Sequence, residues 1–278
     1  VVFLLLFLCG CTGMGQHAIA SNPSNNSNSG SGGSGSGGGG GTGSSGSGDQ
    51  IVFAGSADNV HINIFDSNPN QDTIAQIGSI NAAITSGGTL TIDPVFKVMF
   101  LQNDNDLCCL GPGNNLAIFD ISNPSSPKLV RTEAVGGNQA PISFMVMDAS
   151  GRYPILLSDG GSFESAEYDS ASGTLVEHND WQNAGPISPL VTLDPSQKLV
   201  IAINSRDSEF VMLVSSRDPQ TGLLSQLAGP FFLNGLNSPE PGLPVFSPDG
   251  KYYIFSDPMT GTAYTYSVDQ STGNLFLV

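Results

Sequence analysis

The sequence predicts an all-β fold, a β-propeller of four-stranded antiparallel blades, and three observations carry that prediction. The first is a unit read most clearly at Phe246 to Leu277, where four short apolar or alternating runs are separated by turn residues. The second is a recurring turn position, at Asp93, Asp148, Asp194 and Ser247, spaced by 55, 46 and 53 residues. Four residues after each stands a basic side chain, Lys97, Arg152, Lys198 and Lys251. The third is an Asp closing the third strand of each repeat, at Asp66, Asp120, Asp169, Asp218 and Asp269, spaced by 54, 49, 49 and 51. A period near fifty with four short strands per repeat is the signature of radial blades, whose repetition leaves only short, protected edges.

The elements follow from local chemistry. In the last repeat, Ser247-Pro248-Asp249-Gly250 makes a tight turn, because Pro presets φ and Gly tolerates φ > 0. Tyr252 to Phe255 is a short aromatic strand. Thr262 to Val268 intersperses Ala263, Tyr264, Tyr266 and Val268 with small polar residues, and Asn274 to Val278 is the fourth strand. One such sheet cannot bury its faces alone, so the copies must stack. First strands are expected at Thr89 to Asp93, Ser143 to Asp148, Leu190 to Asp194 and Leu243 to Ser247. Ile51 to Gly55 matches a second strand and Val60 to Asp66 a third, with no match for a first strand before them. Five repeats are therefore expected over residues 51–278, the first lacking its innermost strand.

The N-terminal region has a different character. Val1 to Leu8, VVFLLLFL, is too short to span a bilayer and has the size of a secretion-signal h-region. No Met and no basic residue precedes it, so the sequence is expected to begin part-way through a signal. Leu8-Cys9-Gly10-Cys11 resembles a bacterial lipobox, which implies lipid attachment at Cys11, although Cys9 stands where a small or β-branched residue is commoner. Thr12, not Asp, follows it, and by the same resemblance that favours the outer membrane. Residues 1–11 thus read as a truncated lipoprotein signal, 12–49 as a linker and 51–278 as the propeller domain. Asn22 to Gly48 is nearly all Ser, Gly and Asn and should behave as a flexible coil. Taken over the 37 residues from Thr12 to Gly48, its mean span is roughly 30 to 35 Å, enough to hold a folded body clear of a lipid surface.

Charge excludes whole classes of partner. With a formal charge of −16 and eight Lys and Arg scattered singly, the chain offers no cationic patch for nucleic acid or an anionic lipid surface. Membrane association is expected only through the lipid on Cys11, and the protein is expected to be monomeric. Trp181 is the single tryptophan, and the Trp-Asp dipeptide of one common propeller class is missing.

The runs SPDGKYYIFSD and LDPSQKLVIAINSRDSEF, with the turn pieces EYDSASGTL, DPQTGLL and SVDQSTGNL, resemble the lactonase-type seven-bladed propellers. That family includes 6-phosphogluconolactonase-like members and the related YVTN-repeat surface proteins. The resemblance covers residues 51–278 and implies a seven-bladed ring, with about two repeats, roughly 100 residues, beyond Val278; a complete five-bladed ring is the alternative. The lipobox, the long tether and a repeat body without a catalytic constellation predict a binding module of unknown ligand; the alternatives are a lactone hydrolase, which the resemblance implies, and a structural or adhesion component of the cell surface.

Candidate site residues are sought at the mouth, lined by the loops from strand two to strand three and from blade to blade. They are Arg206, Asp207, Asp159 and Asp257 for ligand binding, with His178 and Arg206 as catalytic candidates. Arg206 presents a planar fork suited to an anionic or sugar-acid ligand, and His178 has a pKa range suited to proton transfer. Arg206, Arg217, Lys128 and Arg131 are the only cations outside the repeated position, few for an enzyme acting on phosphorylated or carboxylated lactones. Asp104-Asn105-Asp106 lacks the Gly and distant Glu of a calcium loop, and adjacent Cys108 and Cys109 do not make a zinc site. No cofactor motif and no metal site is read.

Overall fold

The computed structural model describes residues 18–20, 50–55, 61–68, 73–81, 89–102, 115–136, 142–158, 160–185, 190–206, 209–233, 242–257 and 260–278. These form five antiparallel sheets in chain order. Blade one is β1 (Ala18–Ala20), β2 (Gln50–Gly55), β3 (His61–Asn68) and β4 (Thr73–Asn81). Blade two is β5 (Thr89–Asp93), β6 (Val98–Gln102), β7 (Leu116–Asp120) and β8 (Lys128–Glu133). In blade three, β9 (Ile142–Val146), β10 (Ile155–Ser158), β11 (Ser162–Asp169) and β12 (Thr174–Glu177) are joined by a short β13 (Gln182–Asn183). Blade four is β14 (Leu190–Leu193), β15 (Leu199–Arg206), β16 (Glu209–Arg217) and β17 (Leu224–Leu233). Blade five is β18 (Val245–Phe246), β19 (Tyr252–Asp257), β20 (Thr262–Val268) and β21 (Leu275–Leu277).

Each blade is a meander whose four main strands pair with their chain neighbours, β13 alone adding to β11, so the repeat read from the sequence is the repeat that folds. One expectation is corrected. The first repeat has an innermost strand: Ala18, Ile19 and Ala20 pair with Phe53, Val52 and Ile51. Three residues are too few to show a period, and their partner lies beyond the Gly/Ser tract, so nothing local marks them. The rest of the segment read as a linker, with the signal and Cys11, lies outside the described residues.

Four apolar layers lie between successive blades. Phe53, Ile62 and Ile64 of blade one pack with Leu90, Met99, Leu101 and Phe119 of blade two. From the opposite face of blade two, Phe100, Leu116 and Ile118 pack with Met145, Leu156 and Tyr168 of blade three. Ile155, Leu157 and Phe163 continue to Val200, Ala202 and Leu213 of blade four, and Ile201, Met212 and Val214 to Tyr253, Phe255 and Tyr266 of blade five. Each central strand is thus apolar on both faces, which explains why β6 reads VMFLQ and β10 reads ILLS without polar alternation.

The recurring turn position is a side-chain cap. The Asp194 Oδ1 accepts the N–H groups of Lys198 and Leu199, both at 2.7 Å. Asp148 Oδ1 accepts the Tyr153 N–H at 3.0 Å, and the Ser247 hydroxyl accepts that of Tyr252 at 2.9 Å. In each of these three turns the third residue after the cap has positive φ: Gly151 (72°), Gln197 (62°) and Gly250 (70°). Asp93 caps earlier, on the Val95 N–H at 2.7 Å, and its turn places the left-handed residue one position later, at Lys97 (55°). The repeated basic residue itself is exposed at all four turns.

Arg217 stands apart from the exposed cations. It reaches from the end of β16 to Asp148 of blade three, 2.9 Å, with both side chains almost fully buried, and it also donates to the Gln197 carbonyl at 3.0 Å. Asp148→Ala leaves this guanidinium buried without its counter-charge, so a loss of about 3 to 5 kcal/mol is expected in urea denaturation.

At the far ends of the third strands, the second Asp marker also caps. Asp269 accepts from the hydroxyl and N–H of Ser271, and these bonds, with those to Thr272, pull its carboxyl down to about 2. A lowered folded-state value means that this contribution is present above the ordinary Asp range and is lost as pH falls through about 2. Asp269→Asn is therefore expected to be less stable than the parent at neutral pH, with the difference vanishing as the medium approaches pH 2, read from thermal midpoints across an acid series.

Candidate functional site

The second strands all run away from the capped turns and end at the opposite face of the ring, on polar side chains. Ser158, Asn204 and Asp257 stand ten residues after their caps, and Gln102 nine residues after Asp93. All four are buried, with 0 to 2 % exposure, where the interblade layers are otherwise apolar. Buried polar groups need partners. Gln102 Oε1 accepts the Thr89 hydroxyl at 2.8 Å, and Ser158 Oγ accepts the Ser162 N–H at 3.3 Å. Asp257 Oδ1 accepts the Thr260 N–H at 3.4 Å. The Gln102 Nε2 has no hydrogen-bond partner among the described residues, leaving an amide donor unused at this end. From the sequence, Ser158, Asn204 and Asp257 all fall at the expected mouth, with Asp257 alone of them a ligand-binding candidate, and Gln102 falls just before it. The signal for the others was the shared offset from the cap, visible once strand register fixes which position ends each second strand.

The basic residues gather at the other end. Lys97, Arg152, Lys198 and Lys251 follow the capped turns, Arg217 is sealed against Asp148 beside them, and Lys128 starts β8 opposite Asp120. Arg131 pairs with Glu133 on the outer strand, 2.7 Å. Arg206 does stand at the mouth end: it is the last residue of β15, with its backbone in register with Glu209 across the hairpin. Its side chain, and Asp207 and Asp159, lie outside the described residues.

His178 is placed elsewhere. It follows β12 on the outer flank of blade three, its ring 6.4 Å from that of Tyr153, which stands at the capped-turn end. Its Nδ1 lies 2.7 Å from Ser165 Oγ, and the same hydroxyl lies 2.7 Å from Asp180 Oδ2. The carboxylate can only accept, so the seryl proton points to Asp180 and the imidazole Nδ1–H donates to Ser165. This is not a nucleophile with an oriented base: the acid touches the serine, not the histidine, and Ser165 is fully buried. The trio has a structural task. β12 and β13 both pair with β11 and leave a gap at Ser165, whose N–H donates to Asp180 Oδ1 at 2.8 Å, while Asp180 Oδ2 also accepts the Leu224 N–H of blade four.

Glu164, one residue away on the opposite face, has 0 % exposure. Burial, reinforced by the negative charge of Glu177, raises its carboxyl far above the ordinary range, and the Asn179 N–H that donates to Oε2 opposes the rise. Among the described residues no group of three or more His, Cys, Asp or Glu side chains is arranged to hold a metal ion. Cys108, Cys109 and the Asp104 to Asp106 run lie outside those residues.

Removing the seryl hydroxyl breaks the bridge between His178 and Asp180 while leaving the mouth untouched. Ser165→Ala is expected to cost about 1 to 3 kcal/mol of stability, read in urea denaturation.

Comparison with known proteins agrees with this geometry. An LVIVD repeat model matches residues 108–133, across β7 and β8. No curated protein matches the sequence. Among solved structures, a candidate 6-phosphogluconolactonase from Bacteroides fragilis is similar with TM-score 0.62 and 17% identity over 84% of this chain and 67% of that one. The periplasmic gluconolactonase of Pseudomonas aeruginosa is similar with TM-score 0.60 and 13% identity over 83% of this chain and 66% of that one. The Cps50 β-propeller domain of Myceliophteria thermophila gives 0.54 and 12% over 79% and 66%. The chain spans about two thirds of the length of each. Its structural neighbours thus include 6-phosphogluconolactonase-like proteins, and its own fold is the β-propeller.

Proposed function

We propose that this chain is an extracytoplasmic β-propeller, lipid-anchored through Cys11, that binds a small polar ligand at the mouth opposite the capped turns. The observation that carries the reading is the row of buried polar ends, Gln102, Ser158, Asn204 and Asp257, with the Gln102 amide donor unused. Hydroxyl, amide and carboxylate groups together suit a neutral ligand rich in hydroxyls or carbonyls better than a phosphate, because six of the eight basic residues belong to the other end. Export is supported by the lipobox resemblance and by a neighbour named as a periplasmic gluconolactonase. The Thr after Cys11 favours the outer membrane.

A lactone hydrolase is the second reading, favoured by the names of the two gluconolactonase neighbours. On that reading Arg206 holds the substrate. Calorimetric titration of the purified chain with gluconolactone and its 6-phosphate, beside a hydrolysis assay, separates the two. Binding of the neutral lactone without turnover, weakened at least tenfold in Gln102→Ala (about 1.4 kcal/mol), is the expected result. Hydrolysis that disappears in Arg206→Ala would overturn the binding-module reading. The anchor is checked separately: Cys11→Ser is expected to move the protein from the membrane to the soluble fraction.

A further inference from the structure

The direction of β1 decides at which end of the ring the N-terminal segment arrives. In blades two to five the first strand runs from the mouth to the capped turn, as Thr89 in register with Gln102 and Asp93 in register with Val98 illustrate. β1 keeps that direction. Ala18 is in register with Phe53 and Ala20 with Ile51, on a β2 that continues to Gly55 and the connection into β3 at the mouth. The chain therefore enters β1 from the mouth. Residues 21–49, which hold the Gly/Ser tract, connect the other end of β1 to β2, at the place taken in the other blades by the capped turn.

The length of chain between Cys11 and the ring changes accordingly. With Gln50 as the first residue held by the ring, 39 residues (50 − 11 = 39) would separate the two, about 130 Å when fully extended. With β1 paired, the separation is seven residues (18 − 11 = 7), at most about 25 Å.

We propose that β1 clasps the anchored segment into blade one, so that Thr12 to His17 alone form the leash and the mouth of the ring is held against the lipid surface. The inference rests on the reading of Cys11 as the lipidated residue. The mouth then lies within about 25 Å of the headgroups. The capped-turn end stands farther out by the length of a strand, about 20 Å for the six residues of β2. Such a gap admits a small polar molecule and excludes a folded domain, whose diameter is about 30 Å. Gln102, Ser158, Asn204 and Asp257 thus face a membrane surface, and the ligand they meet is one small enough to enter the space before it. The repeated cations stand at the opposite end, so any attraction to anionic headgroups works against this orientation. Zwitterionic lipid removes that competition.

A single tryptophan at either end of the ring tests the orientation. In Trp181→Phe chains, Thr260→Trp marks the mouth and Ser170→Trp the capped-turn end, both at exposed positions. The full lipidated chain is reconstituted in zwitterionic vesicles carrying a dansyl-headgroup lipid, and energy transfer from tryptophan to dansyl is read. Transfer is expected to be at least twofold stronger from Thr260→Trp than from Ser170→Trp. Deletion of residues 30–41 within the tract is expected to leave that preference unchanged. Insertion of about twenty Gly/Ser residues after Gly13, adding roughly 25 Å of mean reach, is expected to abolish it. Equal transfer from the two ends, or a preference that changes with the deletion or survives the insertion, would sink the proposal. Cys11→Ser separates the two readings. A parent that sediments with the vesicles, and a Cys11→Ser chain that does not, uphold the anchor, so a missing preference then counts against the clasp alone. A parent that stays in solution overturns anchor and clasp together.

Discussion

Every part of this fold depends on the fact that a four-stranded sheet of these dimensions has two apolar faces and no interior of its own. Blade three shows the consequence: Phe163 faces the layer shared with blade four, while Ala166 and Tyr168 on the same strand face the layer shared with blade two. No blade is stable except between neighbours, so stability is a sum of seams. Where a seam is missing among the described residues, apolar side chains remain at the surface, as Val245, Tyr252 and Phe276 do on the outward face of blade five.

Charged groups that bridge the seams meet partners there, because an unpartnered charge in such a layer costs several kcal/mol. Arg217 with Asp148, and Asp180 with Ser165, satisfy this condition in different ways. The first is an ion pair and the second a neutral hydroxyl bonded to a carboxylate.

The two ends of the ring carry different chemistry for a simple geometric reason. Strand one to strand two is a tight turn and needs a cap, so Asp, Ser, Gly and the basic residue that follows recur there. The connections at the opposite end are free of that demand, and polar residues there differ from blade to blade: Gln102, Ser158, Asn204, Asp257. Variation among copies at one end, against constancy at the other, makes the mouth the place for specificity.

The period of the caps and of the strand-closing Asp residues was enough to determine the four-stranded repeat, the number of repeats described and the start of β5 and β14, since turn chemistry and strand alternation are local properties. It also marked the end of the ring on which Arg206 and Asp257 stand. What only the tertiary structure decided was which distant residues meet. Ala18–Ala20 became a strand because Ile51 to Phe53 offered an open edge, and Arg217 became a buried partner of Asp148 rather than a free cation. His178, a catalytic candidate only if the ring placed it near the channel, lies on the flank beside Ser165. Glu164, unremarkable as a letter, acquired a raised carboxyl pKa when β11 and β12 closed against blade two and brought burial and the charge of Glu177, thirteen positions away, to bear on it. Such pairings depend on distance and desolvation, which arise only when separate stretches of chain are brought together and water is excluded between them.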